Sequence, residues 1–150
     1  MKTLTYILLL LVTALPACKK PVDGIVVPQT NTSDAINLKT DLYGYKVNPT
    51  NSSAATGTLT GTLQNNTGQL EFKLNYSGMT PTEAHIHKGY FPDNGPVVYT
   101  IPIGATRLLT GNFTLTMEET NTLANGGYYV DIHSRAFEPG EIRGQIEKTQ

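Results

Sequence analysis

The sequence predicts an all-β fold, an antiparallel β-sandwich with one short helix. Apolar and polar residues alternate in short segments bounded by Gly, Pro or Asn, a pattern that is typical of such sandwiches. The clearest instance is a hairpin, in which residues 57–63 and 70–76 alternate on either side of the turn-forming run Asn65-Asn66-Thr67-Gly68. Further predicted strands cover residues 38–42, 83–88, 97–103, 111–116, 128–133 and 141–147.

One segment has the signals of a helix. Thr116 is a candidate N-cap, Glu118 and Glu119 would lie in the first turn, and Gly126 would end the helix. We therefore predict a short helix over residues 117–126.

Residues 1–17 have the pattern of a lipoprotein signal peptide. Lys2 precedes an apolar run that is too short to span a membrane. The run Leu15-Pro16-Ala17-Cys18 resembles a bacterial lipobox, and Cys18 is the only cysteine of the chain. We expect export, cleavage before Cys18 and acylation of that residue, which would anchor the protein to a bacterial membrane in the cell envelope. Ordinary secretory cleavage after Ala17 is the alternative.

The remaining chain divides into a tether and one domain. Residues 18–35 mix Pro, Gly and Asn without a sustained period, which predicts a tether, with an edge strand at 25–27 as the alternative. Residues 36–150 are enough for one folded domain. With its only cysteine assigned to lipid, this domain has no disulfide, so packing, a metal ion or both must stabilise it.

The charge balance argues against nucleic acid as a partner. The chain has 11 Lys and Arg residues against 12 Asp and Glu residues, for a formal net charge of -1. Small ligands, ions and surfaces are the expected partners.

All three histidines fall in two of the predicted strands, His85 and His87 in 83–88 and His133 in 128–133. Alternate residues of a strand point to the same face, so His85 and His87 project together on the polar face. Neighbouring strands are about 4.8 Å apart, so three imidazoles can converge on one ion if these strands are neighbours. Imidazole suits both copper and zinc, and three nitrogen ligands leave a position for water or substrate. We therefore predict a copper or zinc site with these three histidines as ligands.

The same alternation along the strands, which we call strand parity, places three further side chains on that polar face: Asp131, Glu141 and Arg143. We predict them as outer partners, which would orient an imidazole or hold a carboxylate. The alternative is a hydrogen-bonded or solvated polar face without metal, on which Glu141 and Arg143 form an ion pair.

The sequence assigns no catalytic residue. It has no cysteine nucleophile in the domain and no Gly-rich phosphate loop, and Ser134 faces away from the adjoining His133. A metal-binding domain without enzymatic activity is therefore the first expectation. The alternatives are a protein- or glycan-binding module, which would use the sandwich surface or the loop with Tyr90 and Phe91, and a metal-dependent oxidoreductase.

Four motifs follow one another in the second half of the chain. They are Ala84-His85-Ile86-His87-Lys88-Gly89, Gly95-Pro96-Val97-Val98, Tyr129-Val130-Asp131-Ile132-His133-Ser134 and Pro139-Gly140-Glu141-Ile142-Arg143-Gly144-Gln145-Ile146. Together they resemble the chordin-type (CHRD) domain, with similarity from about Leu42 to Ile146. Ser134 departs mildly from the family pattern, where threonine is usual.

The resemblance implies an immunoglobulin-like or superoxide-dismutase-like sandwich in an extracellular or envelope protein. Bacterial members are mostly lone secreted or lipid-anchored domains, whereas in animal chordin such domains accompany growth-factor-binding modules. The strand with His85 and His87 is also similar to the one that presents two copper ligands in copper-zinc superoxide dismutase. That enzyme needs further histidines and a disulfide, so full dismutase activity is not expected.

Overall fold

The structure, a computed structural model, describes residues 34–149. The predicted signal peptide, the predicted lipidation site at Cys18 and most of the tether lie outside the described residues. Within residues 34–149, no helix has both the length and the apolar character needed to cross a membrane.

The described chain consists mainly of antiparallel strands. They are β1 (Ala35–Tyr43), β2 (Thr56–Gln64), β3 (Gln69–Ser77), β4 (Pro81–Lys88), β5 (Val97–Thr100), β6 (Leu108–Thr114), β7 (Tyr128–Ser134), β8 (Ile142–Gln145) and β9 (Glu147–Lys148). A 3-10 turn, Gly44–Lys46, follows β1, and the helix α1 (Met117–Ala124) lies between β6 and β7.

The strands form one curled sheet. Its order is β5-β4-β7-β8-β1-β2-β3-β6, and β9 pairs with β1. The curl brings the two end strands together. Tyr99 of β5 stacks on Phe113 of β6, with ring centroids 4.3 Å apart. The predicted all-β class is confirmed.

Alternating strand residues fill a single core inside this curl. In β3, for example, Leu70, Phe72, Leu74 and Tyr76 are buried while the residues between them are exposed or half-buried. Burying each such side chain contributes about 1.5–3 kcal/mol. The other face of the sheet is left for polar residues, and it is this face that carries the histidines.

The predicted hairpin and helix are confirmed. β2 and β3 pair in register from Thr56 with Ser77 to Gln64 with Gln69. The turn between them uses Gly68 at a φ of 70°, which glycine adopts without strain. Thr116 caps α1 by accepting a hydrogen bond from the Glu119 backbone N–H, and the Glu119 carboxylate accepts one from the Thr116 N–H.

Several predicted strands have different ends in the structure. The strand predicted over 111–116 is Leu108–Thr114, and β1 and β4 each begin two or three residues earlier than predicted. Two further differences have a clear physical reason. The strand predicted over 97–103 stops at Thr100, since Pro102 has no N–H to extend the pairing. The strand predicted over 141–147 is divided into β8 and β9 at Ile146. This division arises because the Ile146 N–H donates to Tyr128 of β7 at 2.9 Å, whereas Glu147 pairs with Lys39 of β1.

Candidate metal centre

The histidine strands are direct neighbours in the sheet. The antiparallel register of β4 and β7 places His85 opposite Asp131 and Glu83 opposite His133. His87 lies two residues further along β4, on the same face. Ile86 and Ile132 occupy the other face and are buried in the core. The alternation of apolar and polar residues therefore directs three imidazoles and one carboxylate to a common point.

The four side chains form a compact cluster. One candidate ligand atom from each of His85, His87, Asp131 and His133 lies within 4.8 Å of every other. Asp131 Oδ1 is 3.2 Å from both His87 Nε2 and His133 Nε2, and it is 3.9 Å from His85 Nδ1. His85 Nδ1 and His133 Nε2 are 3.3 Å apart. The structure thus brings together the three predicted ligands, and it places the Asp131 carboxylate among them.

These separations suit a tetrahedral ion. Metal–nitrogen distances of about 2.0–2.1 Å require neighbouring ligand atoms about 3.3–3.4 Å apart. Four of the six separations in the cluster, 3.2, 3.2, 3.3 and 3.9 Å, are close to that requirement, and the other two lie within 4.8 Å. Nitrogen and carboxylate donors without thiolate also match the preferences of zinc and copper(II).

Backbone carbonyls determine which ring nitrogen faces the cluster. His87 Nδ1–H donates to the Gly95 carbonyl at 2.9 Å, and His133 Nδ1–H donates to the Glu138 carbonyl at 2.8 Å. Because a carbonyl only accepts, each Nδ1 carries hydrogen and directs its Nε2 at the cluster. His85 has the opposite orientation, with Nε2 3.6 Å from the Glu83 carboxylate. An outer N–H held by a carbonyl or carboxylate is typical of histidines that ligate metals.

The cluster holds a proton where a metal ion would bind. The hydrogen bond to Asp131 raises the pKa of His133 to about 9, whereas burial lowers the pKa of His85. Burial alone would raise the pKa of Asp131, but the contacts of its carboxylate with His133 and His87 outweigh burial and keep that pKa below its usual value. At neutral pH, protonated His133 therefore donates toward Asp131 and the neutral His85 ring.

A stack of side chains supports His87. The Tyr129 ring lies parallel to the His87 ring with centroids 4.6 Å apart, and the Arg143 guanidinium lies 3.5 Å from the Tyr129 centroid. The strand order β4-β7-β8 places Tyr129 between the other two residues. Burial lowers the pKa of Arg143, and the ring face offsets part of the lost hydration. Arg143, predicted as an outer partner, thus reaches the cluster only indirectly, through the Tyr129 ring.

The segment 89–96 covers this polar face. Gly95 contributes its carbonyl to His87 and donates its N–H to the Tyr129 hydroxyl at 3.1 Å. A side chain at Gly95 would place its Cβ 1.7 Å from the Lys88 carbonyl oxygen, so this close approach requires glycine. The cover explains why Tyr129 is buried although it lies on the polar face of β7.

Arg143 holds the 89–96 segment in place through two hydrogen bonds. Its two terminal nitrogens donate to the Asn94 side chain at 3.1 Å and to the Asp93 carbonyl at 2.9 Å. As a result, the imidazoles are largely shielded, with side-chain exposures of 12% for His85, 10% for His87 and 15% for His133. The cluster is therefore a shielded site.

Glu141 has another partner in the structure. Its carboxylate accepts a hydrogen bond from the Ser53 hydroxyl at 2.7 Å, and the Asn51 amide donates to its backbone carbonyl at 3.1 Å. Glu141 therefore joins the loop before β2 to the start of β8. The carboxylate among the imidazoles comes from Asp131.

Sequence reasoning missed three contributors to this site. Tyr129 has the same strand parity as Asp131 and His133, so its place beside the cluster could have been found from that pattern. The carbonyls of Gly95 and Glu138 could not, because backbone groups of loops leave no residue-type signal.

The fold and the cluster define a small all-β domain with a His3Asp group that could hold a metal ion. The family model for the CHRD domain matches residues 38–146, and the chain belongs to the CHRD family. Neither a curated protein nor a solved structure matched the chain.

Proposed function

We propose that this CHRD domain binds one divalent transition-metal ion, copper or zinc, without catalysing a reaction. The ligands are His85 Nδ1, His87 Nε2, His133 Nε2 and a carboxylate oxygen of Asp131. The observation that carries the proposal is the convergence of these four atoms, all within 4.8 Å of one another, on a position toward which carbonyls orient two of the three rings.

The ion would cross-link two neighbouring strands. His85 and His87 belong to β4, whereas Asp131 and His133 belong to β7, so one ion would link two strands that otherwise rely on hydrogen bonds and packing. A ligand that binds only the folded state stabilises it. In a domain without a disulfide, this stabilisation suits an exported protein that stores, senses or is strengthened by metal.

Isothermal titration of the purified protein with Zn²⁺ and Cu²⁺ tests the proposal. We expect saturable binding of one ion per chain, with copper the tighter by the usual affinity order of divalent ions. Asp131→Ala and His133→Ala each remove one ligand and should weaken binding by more than the roughly 10–100-fold that loss of an outer partner costs.

Glu71→Gln is the matched control for those variants. Glu71 is an exposed acid on β3, and its replacement should leave the isotherm unchanged. Circular dichroism of each metal-free variant establishes that it is folded. Wild-type affinity in either ligand variant would exclude the site.

We also propose that the domain is attached to a bacterial envelope membrane by acyl chains on Cys18. The lipobox-like run before this lone cysteine supports the proposal. When the gene is expressed in a bacterium that processes lipoproteins, the wild-type protein should partition into the detergent phase of a Triton X-114 extract. Cys18→Ala should move it to the aqueous phase, and an aqueous wild-type protein would contradict the anchor.

A further inference from the structure

A continuous groove crosses the outer surface beside β1, β8 and β9. It consists of two adjoining hollows of about 620 and 450 Å³. Both are lined by Phe91, Gln145, Glu147 and Lys148. We call this surface the aromatic groove, because Tyr45 lines its first hollow, Tyr90 its second, and Phe91 lies where the two meet.

These three rings are exposed although large apolar side chains usually are not. Tyr45, Tyr90 and Phe91 are 64%, 57% and 59% exposed, and within residues 34–149 no other aromatic side chain is exposed to this degree. Leaving a ring of this size in water forfeits the favourable free energy of burying it. That all three line one groove points to a ligand that covers them.

Two of the three rings have contacts that hold them in place before any ligand arrives. Tyr45 stacks on Tyr43 with centroids 5.1 Å apart. Phe91 lies 5.9 Å from the guanidinium of Arg143, which also anchors the segment that carries the ring. On the other side, the Asn48 amide donates to the Pro92 carbonyl at 3.0 Å. A preorganised surface loses little conformational freedom on binding.

The groove is polar and positively charged between its rings. The lining of the first hollow contains four cations and two carboxylates, whereas the chain as a whole has a net charge of -1. These six residues are Lys39, Lys46, Arg143, Lys148, Asp41 and Glu147. Lys39 and Asp41 offset each other, because the Asp41 carboxylate lies 3.8 Å from Lys39 Nζ. Three cations, Lys46, Arg143 and Lys148, then remain against the one carboxylate of Glu147. The net potential favours an anionic ligand.

From these features we infer that the aromatic groove binds an acidic oligosaccharide, a chain of sugar rings that carries carboxylates. The apolar C–H face of a pyranose packs flat on an aromatic ring, while its hydroxyls bond to polar side chains around it. Separate rings along an elongated, polar groove fit successive sugars. They fit a protein partner less well, since protein interfaces have a contiguous buried core.

Affinity electrophoresis of the full chain in detergent tests this inference. Gels contain polygalacturonate, alginate or neutral dextran, and EDTA is present throughout so that the proposed metal site stays empty. We expect migration to be retarded by at least one of the two uronate polymers and not by dextran. The doubly substituted protein with Tyr45→Ala and Phe91→Ala should bind at least about tenfold more weakly, equivalent to about 1.4 kcal/mol.

Met117→Ala is the matched control, because Met117 is a 61% exposed apolar side chain on α1 outside the groove. Retardation by neither uronate polymer overturns the inference, and so does equal retardation by dextran. If Lys39→Gln and Lys148→Gln abolish retardation while the ring substitutions leave it unchanged, binding is simple ion exchange and the inference fails. Sedimentation that shows self-association dependent on the rings, without retardation in any gel, would identify a second copy of the chain as the occupant.

Discussion

Replacing Gly95 with alanine tests the site without touching a proposed ligand. The new Cβ would lie 1.7 Å from the Lys88 carbonyl oxygen, and 2.7 Å from its carbon. These are backbone atoms of a paired strand, so the 89–96 segment has to move. Its movement breaks the contact between the Gly95 carbonyl and His87 Nδ1, which is 2.9 Å in the structure, and the Gly95 N–H bond to Tyr129.

The expected magnitude follows from those two contacts. Loss of an outer partner of a metal-bound histidine costs about 10–100-fold in affinity, or about 1.4–2.7 kcal/mol. The metal-free protein should also lose about 1–3 kcal/mol of its free energy of unfolding, because each broken hydrogen bond contributes about 0.5–1.5 kcal/mol. Zinc titration calorimetry and urea denaturation in EDTA measure the two losses separately.

Gly104→Ala provides the matched control. The same chemical change there meets nothing closer than 4.0 Å, so zinc affinity and stability should stay close to wild type. If Gly95→Ala binds zinc as tightly as Gly104→Ala, the carbonyl does not orient His87 and the reasoning about the outer partners is refuted.

Three further predictions concern the proton, the helix and the ion. The hydrogen bond to Asp131 raises the folded-state pKa of His133 to about 9 from its ordinary value of 6.5. Above the acid range in which Asp131 itself becomes protonated, the His133–Asp131 pair therefore stabilises the metal-free fold fully up to pH 6.5 and progressively less as pH rises to about 9. Urea denaturation in EDTA should show this decline, and Asp131→Asn should remove it; a decline that persists in the variant would contradict the pairing. Thr116→Ala should lower the free energy of unfolding by about 1 kcal/mol, since it removes the cap of α1, and an unchanged urea midpoint would argue against that role. Zinc at 100 times its dissociation constant should raise the free energy of unfolding by about 2.7 kcal/mol, and a thermal scan without any upward shift would speak against binding to the folded state.

Strand parity predicted much of the fold and the site. It identified the β2–β3 hairpin, and it placed His85, His87, Asp131 and His133 on one face before any register was known. Parity succeeds here because the core imposes a strict alternation on both histidine strands.

Strand parity does not determine the register in which two strands pair, or where a loop lies in the folded domain. The pairing of His85 with Asp131 makes the carboxylate a member of the cluster, whereas the sequence predicted it as an outer partner. Glu141 has the expected parity, yet its carboxylate is bound by Ser53, which approaches from the loop before β2. Such contacts depend on where distant loops fold, and no periodicity in the sequence encodes that.

Anomalous diffraction from crystals of the zinc-loaded protein tests the central claim most directly. The account predicts one zinc peak per chain, about 2.0–2.2 Å from His85 Nδ1, His87 Nε2, His133 Nε2 and an Asp131 oxygen. A peak elsewhere on the surface, or a cluster without zinc at saturating metal, would contradict it.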